Sequence, residues 1–336
     1  MTNPTIVTQI RAGYVERAHF GRVAIVGPDG DLAFSLGDVA APMLPRSSCK
    51  ILQAMPMVES GAAAAQGLTL QQLALSCASH QGSHSHASQA EAWLKDMGLS
   101  ESDLECGPQP PNDEKTFEDL KIAGRAPGQL HNNCSGKHTG FLCQARHIGA
   151  ATEGYIDPSH PVQQRVAEVT ADLAGEDLSS YAIDGCSAPN FGVSLTGLAR
   201  AMARIASAET SMTGARADAA ITLRRAMAAH PFEVAGEGRA CTDLMRSGGG
   251  LVVKTGAEGA FTAILPDRGI GIALKIDDGE TRAAEIAMTS ILVALGALDP
   301  NDPRVLKWLR TPLNNRNGIT CGQTTATDLL TSITLN

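Results

Sequence analysis

Apolar and polar positions divide the chain into three stretches of different period. From Ile6 to Asp38 the pattern is strand-like, and Arg22 to Val26 and Leu32 to Leu36 flank the turn cluster Gly27-Pro28-Asp29-Gly30, which predicts an antiparallel hairpin. After Pro42 and Pro45 the period changes. Ile51, Leu52, Met55 and Val58 fall at helical spacing, predicting a helix that starts near Ser47 and is broken or kinked at Pro56. Helical character then dominates to about Ala228, with loops expected at Gly107 to Asp113, Gly124 to Gly140 and Asp184 to Gly192. Alternation returns in Leu251 to Thr255, Phe261 to Leu265 and Ile270 to Ile276, the first two separated by the turn Ala257-Glu258-Gly259. A last apolar helix is expected from Thr281 to Leu298.

Neither group of strands can form a stable core alone, so the two are expected to join in one antiparallel sheet. The predicted fold class is α/β of the α+β kind: a sheet made from both ends of the chain, flanking helices and a large helical middle region. A single domain of two lobes follows, with residues 1–60 and 248–323 in the sheet-containing lobe and 61–247 in the helical one. The polar, threonine-rich tail 324–336 is expected to pack loosely. The 336 residues, 43% hydrophobic, are ample for a buried core.

The net charge of -8 and the lack of any lysine or arginine run argue against nucleic acid as a partner and favour a small molecule. No run of about 18 apolar residues predicts a membrane span, and the first residues lack the basic start and apolar stretch of a signal peptide, so a cytoplasmic location is expected. The eight cysteines include no C-x-x-C pair and are read as reduced thiols.

Ser47-Ser48-Cys49-Lys50 is an S-x-x-K at a predicted helix start. Spacing of i,i+3 there places hydroxyl and amine on one face, with Cβ atoms roughly 5–6 Å apart. Lys254-Thr255-Gly256 supplies a K-T-G near the end of a predicted strand. Together they resemble the signature of penicillin-binding proteins and class A β-lactamases, where such a helix and strand face each other across the site. A lysine that takes a serine proton must be neutral, so its pKa must fall by about 3, which is roughly 4 kcal/mol. A second lysine nearby pushes in that direction, which gives a reason for Lys50 and Lys254 to share one site. The third β-lactamase element is missing, since neither Ser-Asp-Asn nor Tyr-x-Asn occurs.

In its place stand Cys77-Ala78-Ser79-His80, His131-Asn132-Asn133-Cys134-Ser135-Gly136-Lys137-His138 and Asp184-Gly185-Cys186-Ser187-Ala188-Pro189. Taken by residue type, Cys134 and Cys186 with His131 or His138 suggest zinc, whose usual ligands are thiolate and imidazole. With Arg46-Ser47-Ser48-Cys49-Lys50 and Lys254-Thr255-Gly256, these segments resemble the rhizobial-type (class 3) L-asparaginases, from about Arg11 to Gly322. That resemblance implies a serine β-lactamase/glutaminase-like fold and a homodimer. It also implies two serine-lysine tandems, Ser47 with Lys50 and Ser79 with Lys254, and a zinc site of Cys134, Lys137, Cys186 and water. The expected substrate is L-asparagine, with glutamine the nearest rival and a non-catalytic zinc-dependent binding protein the alternative from another class. Arg46, beside the proposed nucleophile, is placed to hold an α-carboxylate. The segment from His80 to His86 departs from the acidic residues expected there; His80, His84 and His86 have ligand-like spacing but are read as loop histidines.

Overall fold

The computed structural model describes residues 3–178 and 180–335. Its main sheet has eight strands: β1 (Thr5–Arg11), β2 (Tyr14–Val26), β3 (Leu32–Leu36), β4 (Val252–Thr255), β5 (Ala260–Leu265), β6 (Ile270–Ile276), β7 (Arg310–Asn314) and β8 (Thr320–Ala326). The order is β7-β8-β1-β2-β6-β5-β4, with β3 also on β2, and every pairing is antiparallel. Both chain ends therefore build one sheet around the β2–β6 pair, as the patterning predicts. Six of the seven residues of β6 are buried, so both its faces are covered, and this is why it reads as a nearly unbroken apolar run. The helices Leu195–Ala206 and Thr281–Ala294 pack on it. No helix among the described residues is long and apolar enough to cross a membrane.

The helix Lys50–Glu59 runs through the middle of the helical region against the helices Ser135–His147, Pro161–Ala174 and Gly214–Ala229. Its residues Lys50 to Met57 are all buried. The break expected at Pro56 does not occur: the helix passes through it to Glu59, its backbone held by packing from several sides.

Two further differences have physical causes. The loop expected from Gly124 to Gly140 gives way at Ser135 to a helix, Ser135–His147, whose first eleven residues are buried. Its opening residues are Ser, Gly, Lys, His, Thr and Gly, so no apolar period announces it. Gly136 is required because a Cβ there would lie 2.4 Å from the carbonyl oxygen of Leu75. The tail after Gln323 is not loose: β8 continues to Ala326, and Leu330 and Ile333 are buried. Strand β7, at the sheet edge, is alternately half-buried and exposed and largely polar, so it offers no apolar alternation.

Candidate active site

A short 3-10 turn, Arg46–Cys49, leads into the helix Lys50–Glu59 and sets Lys50 at its start, with the amine directed inward. Lys50 Nζ donates to Ser79 Oγ at 3.0 Å and also to the Ala78 carbonyl. From the opposite side, Lys254 Nζ on β4 donates to Ser79 Oγ at 2.8 Å and to the Thr255 carbonyl at 2.7 Å. One hydroxyl is thus bridged by two amines, and Ser79, Lys50 and Lys254 are 8%, 1% and 2% exposed. The Ser79 backbone N–H donates to the Val234 carbonyl at 2.9 Å, which anchors the loop carrying this hydroxyl. The Lys254 amine is pushed down to about 7, chiefly by burial and further by repulsion from Lys50, with Cys241 opposing.

Ser47 is half-buried, and its side chain makes no hydrogen bond to Lys50 or to any other group among the described residues. The expected pair Ser79 with Lys254 is in contact, whereas Lys50 is hydrogen-bonded to Ser79 and not to Ser47. Ser47 and the K-T-G turn are nevertheless close. Thr262 Oγ1 on β5 donates to the Ser48 carbonyl at 2.9 Å. A Cβ on Gly256 would lie 2.8 Å from the Pro45 carbonyl oxygen and 3.0 Å from the Ser48 nitrogen, so only glycine permits this approach. Neither the Ser47 nor the Ala257 backbone N–H donates to any group among the described residues.

Arg46 adopts φ 51°, a left-handed conformation for a residue other than glycine. Its backbone is held by Asn190, whose Oδ1 accepts from Arg46 N at 3.1 Å. The guanidinium donates from Nε and Nη2 to Asp184 Oδ1 at 2.9 and 2.8 Å, and Nη1 lies 3.9 Å from Glu258 Oε1. Arg46 is thus beside Ser47 as expected, but already paired with carboxylates. Asp184, Asn190 and Glu258 were not singled out from the sequence, although Asp184 opens the quoted segment and Asn190 directly follows it.

A second buried cluster adjoins the first. Lys137 Nζ donates to Cys186 Sγ at 3.0 Å, and Lys50 Nζ donates to Cys134 Sγ at 3.1 Å, so Cys134 touches both clusters. The neighbouring Cys134 sulfur, with Lys137 and against the effect of burial, holds the Cys186 thiol far below its ordinary pKa, while the Cys134 thiol is raised. Burial alone would lower the Lys137 amine, but the Cys186 and Cys134 sulfurs outweigh it and raise it. Cys186 and Lys137 are thus a buried hydrogen-bonded pair in which each favours the charged form of the other. Burial keeps the neighbouring His138 neutral, its pKa lowered to about 4.

No group of three or more His, Cys, Asp or Glu residues that could hold a metal is found among the described residues. The donor set still fits zinc when the lysine is counted: two sulfurs and an amine nitrogen converge in one buried patch, and a bound cation would favour loss of the Lys137 proton. His131 Nδ1 instead accepts from its own turn, from Gly128 N at 3.1 Å. His84 Nε2 faces Asp119 at the surface at 2.9 Å, while His80 stacks on His86 at 4.7 Å and His86 stacks on Phe232 at the same distance.

The chain resembles solved structures in fold. Mglu in its L-glutamate binding form superposes with a TM-score of 0.50 at 15% identity, covering 89% of this chain and 65% of that one. Native Mglu gives 0.47 at 15% identity, over 84% of this chain and 66% of that one, so this chain spans just under two thirds of Mglu's length. A β-lactamase from Mycobacterium bovis gives 0.41 at 11% identity, over 83% and 95% of the two chains. No curated protein matches the sequence. A sequence model of the family described as L-asparaginase II does match, over residues 7–326. With nearly the whole length matched, the chain belongs to the L-asparaginase II family, a family of amidohydrolases.

Proposed function

We propose that the protein hydrolyses L-asparagine to L-aspartate and ammonia, with Ser47 as nucleophile and Lys50, Ser79 and Lys254 as its proton chain. The observation that carries this reading is Ser79 Oγ, bridged at 3.0 and 2.8 Å by two buried amines, one of them with its pKa lowered to about 7. Such an amine can be neutral at physiological pH and take up a proton. Ser47 is the more accessible of the two hydroxyls. Its own N–H and that of Ala257 have no partner among the described residues, which suits a pair of donors for the oxygen of a tetrahedral intermediate. Hydrogen bonds to a nucleophile are often long or absent until substrate binds, so the missing Ser47–Lys50 contact does not oppose the assignment.

Ser47 Oγ adds to the side-chain amide carbon, and its proton passes by way of Lys50 and Ser79 toward Lys254. The carbon–nitrogen bond then breaks, and the leaving nitrogen takes a proton from this chain to depart as ammonia. The aspartyl ester on Ser47 is cleaved by water, which restores the hydroxyl. Arg46, positioned by Asp184, faces the α-carboxylate. Asp184 Oδ1 already accepts twice from Arg46 and is the carboxylate available to the substrate's α-ammonium.

Cys134, Lys137 and Cys186 would hold zinc, which when bound supplies a fixed positive charge and Lewis acidity beside the pocket. Its role in this reading is to orient the two loops. The enzyme is proposed to work in the cytoplasm as a homodimer.

Ammonia release from L-asparagine and L-glutamine, assayed side by side, tests the assignment. One methylene is worth about 10–200-fold in discrimination, so asparagine should lead by that order. Preference for glutamine would move the substrate, and silence on both would remove the hydrolase reading. Intact-protein mass spectrometry should find an aspartyl adduct on the wild type and none on Ser47→Ala. Near-normal turnover by Ser47→Ala would transfer the nucleophilic role to Ser79.

A further inference from the structure

Ser79 sits in irregular chain between the helices Leu70–Ser76 and His84–Asp96, so no helix or ladder bond fixes its hydroxyl. The next residue supplies the fixing contacts. His80 is buried; its backbone N–H donates to the Asn133 carbonyl at 3.2 Å, its Nδ1 accepts from Gly82 N at 3.0 Å, and its Nε2 lies 3.0 Å from Ser135 Oγ. One face of the ring is covered by His86, nearly parallel at 7° with centroids 4.7 Å apart, and His86 is backed in turn by Phe232 at 14° and 4.7 Å. His86 lies in the first turn of the helix His84–Asp96 and is also buried, with Nδ1 2.6 Å from Ser83 Oγ and Nε2 3.0 Å from the Phe232 carbonyl oxygen.

Each ring has one partner that can play only one role, and that fixes its proton. A backbone N–H can only donate, so His80 Nδ1 carries a lone pair and the ring proton is on Nε2, donated to Ser135 Oγ. A carbonyl can only accept, so His86 Nε2 carries the proton and Nδ1 accepts from the Ser83 hydroxyl. Both rings are therefore neutral with every nitrogen used, which lets them lie face to face and leaves neither a lone pair for a metal. The stack ends on the short helix Pro231–Ala235, the same helix whose Val234 carbonyl accepts from Ser79 N at 2.9 Å. Ser79 is thus referred twice to one support, by its own backbone at Val234 and by its neighbour's ring, through His86, at Phe232.

We infer that His80 and His86 are positioning residues for Ser79: the two stacked rings tie its loop to the helix Pro231–Ala235 on one side and to Ser135 on the other, so that the hydroxyl stays centred between Lys50 and Lys254. Those amines come from different elements, at 3.0 and 2.8 Å, and a coil segment free to shift by about 1 Å would lose one of them. The loop is closed tightly enough to require glycine at Gly82, where φ is 68° and a Cβ would lie 2.4 Å from the His131 carbonyl oxygen. The effect on turnover rests on the proton chain proposed above; the tautomers and the stack do not.

The first test needs neither substrate nor metal. In histidine-labelled protein, long-range nitrogen–proton correlation should show both rings with the proton on Nε2, their signals identified by their loss in His80→Gln and His86→Phe. A proton on Nδ1 of either ring overturns the inference. The second test measures turnover of L-asparagine beside Tm. His86→Ala removes the stack and should lower kcat by about 10²-fold with KM unchanged, since Ser79 moves protons and does not hold substrate. His86→Phe keeps a ring face for His80 but gives up both hydrogen bonds, so it should regain most of kcat while staying less stable than wild type. A kcat that follows Tm across these variants, or a loss that falls on KM, would show that the stack only supports the fold and overturns the inference. If His86→Ala fails to fold, His80→Gln, which keeps a donor but loses the ring, carries the same expectation. A wild type that releases no ammonia from either amide refutes the hydrolase reading, and crystal structures then decide: in His86→Ala or His80→Gln the Ser79 hydroxyl should lie beyond hydrogen-bond reach of one amine, and a hydroxyl still bridging both overturns the inference.

Discussion

Lys137 and Lys254 are both 2% exposed, yet the environment drives their amines in opposite directions. Burial disfavours the charged form of each equally in kind. Lys254 finds a hydroxyl, a carbonyl and a second lysine, and the opposing influence of Cys241 does not make up for the lost hydration. Lys137 finds the Cys186 sulfur at 3.0 Å and the Cys134 sulfur nearby, and their attraction exceeds the burial effect. One amine is pushed down and the other up. Depth does not decide the chemistry of a buried lysine in this fold; the partner does.

The comparison breaks most visibly at Lys254. Lys254→Met should lower kcat by about 10²–10⁴-fold, the ordinary contribution of a positioned acid–base group. The same change should help folding at neutral pH. The folded amine of Lys254 titrates near 7 while the unfolded one remains protonated up to the usual lysine range, so the unfolded state binds the extra proton between those limits. Wild-type stability should accordingly rise by about 1.4 kcal/mol per pH unit across that window, and denaturant titrations should show the advantage of the Met variant shrinking as pH increases. A variant less stable than wild type at every pH would mean that the hydrogen bonds to Ser79 and Thr255 outweigh the buried amine.

The second cluster gives a smaller but specific effect. Cys186→Ser removes the thiolate partner of Lys137 and should abolish stoichiometric zinc binding, measured by metal analysis after dialysis, while the fold remains intact by circular dichroism. Full retention of zinc would show that Cys134 and Lys137 suffice, or that the metal lies elsewhere.

The smallest effect is the most direct reading of the Lys254 environment. With the reactive form deprotonated, kcat/KM should fall about tenfold per pH unit below a midpoint near 7 and level off above it. A limb that sits well away from 7, or an unchanged limb when Cys241 is replaced by Ala, would show that groups other than those around Lys254 set the profile.

Much of the site was legible because its residues occur in short local patterns. Ser47-x-x-Lys50 and Lys254-Thr255-Gly256 stand out by type and spacing, and Cys134 and Cys186 by the polar company they keep. The pairing of those groups was not legible. Ser79 and Lys254 are separated by 175 positions, and their 2.8 Å contact exists only because β4 lies beside the loop ending the helix Leu70–Ser76. The pattern also could not show that Lys50 reaches past Ser47 to Ser79, or that Arg46 is already engaged by Asp184.

The fold divides in the same way. Apolar alternation and helical period, which are local consequences of one buried face, were sufficient to place the hairpin β2–β3, the strands β4, β5 and β6, and the union of both chain ends in one antiparallel sheet. The polar edge strand β7, the buried polar start of the helix Ser135–His147 and the packed tail carry no such signature, because their residues serve contacts with distant partners. Sequence by itself determined the candidate groups and the class of fold. Which hydroxyl receives two amines, and in which direction each buried lysine is shifted, were decided only in three dimensions, because hydrogen-bond partnership and desolvation depend on neighbours that the chain brings together by folding.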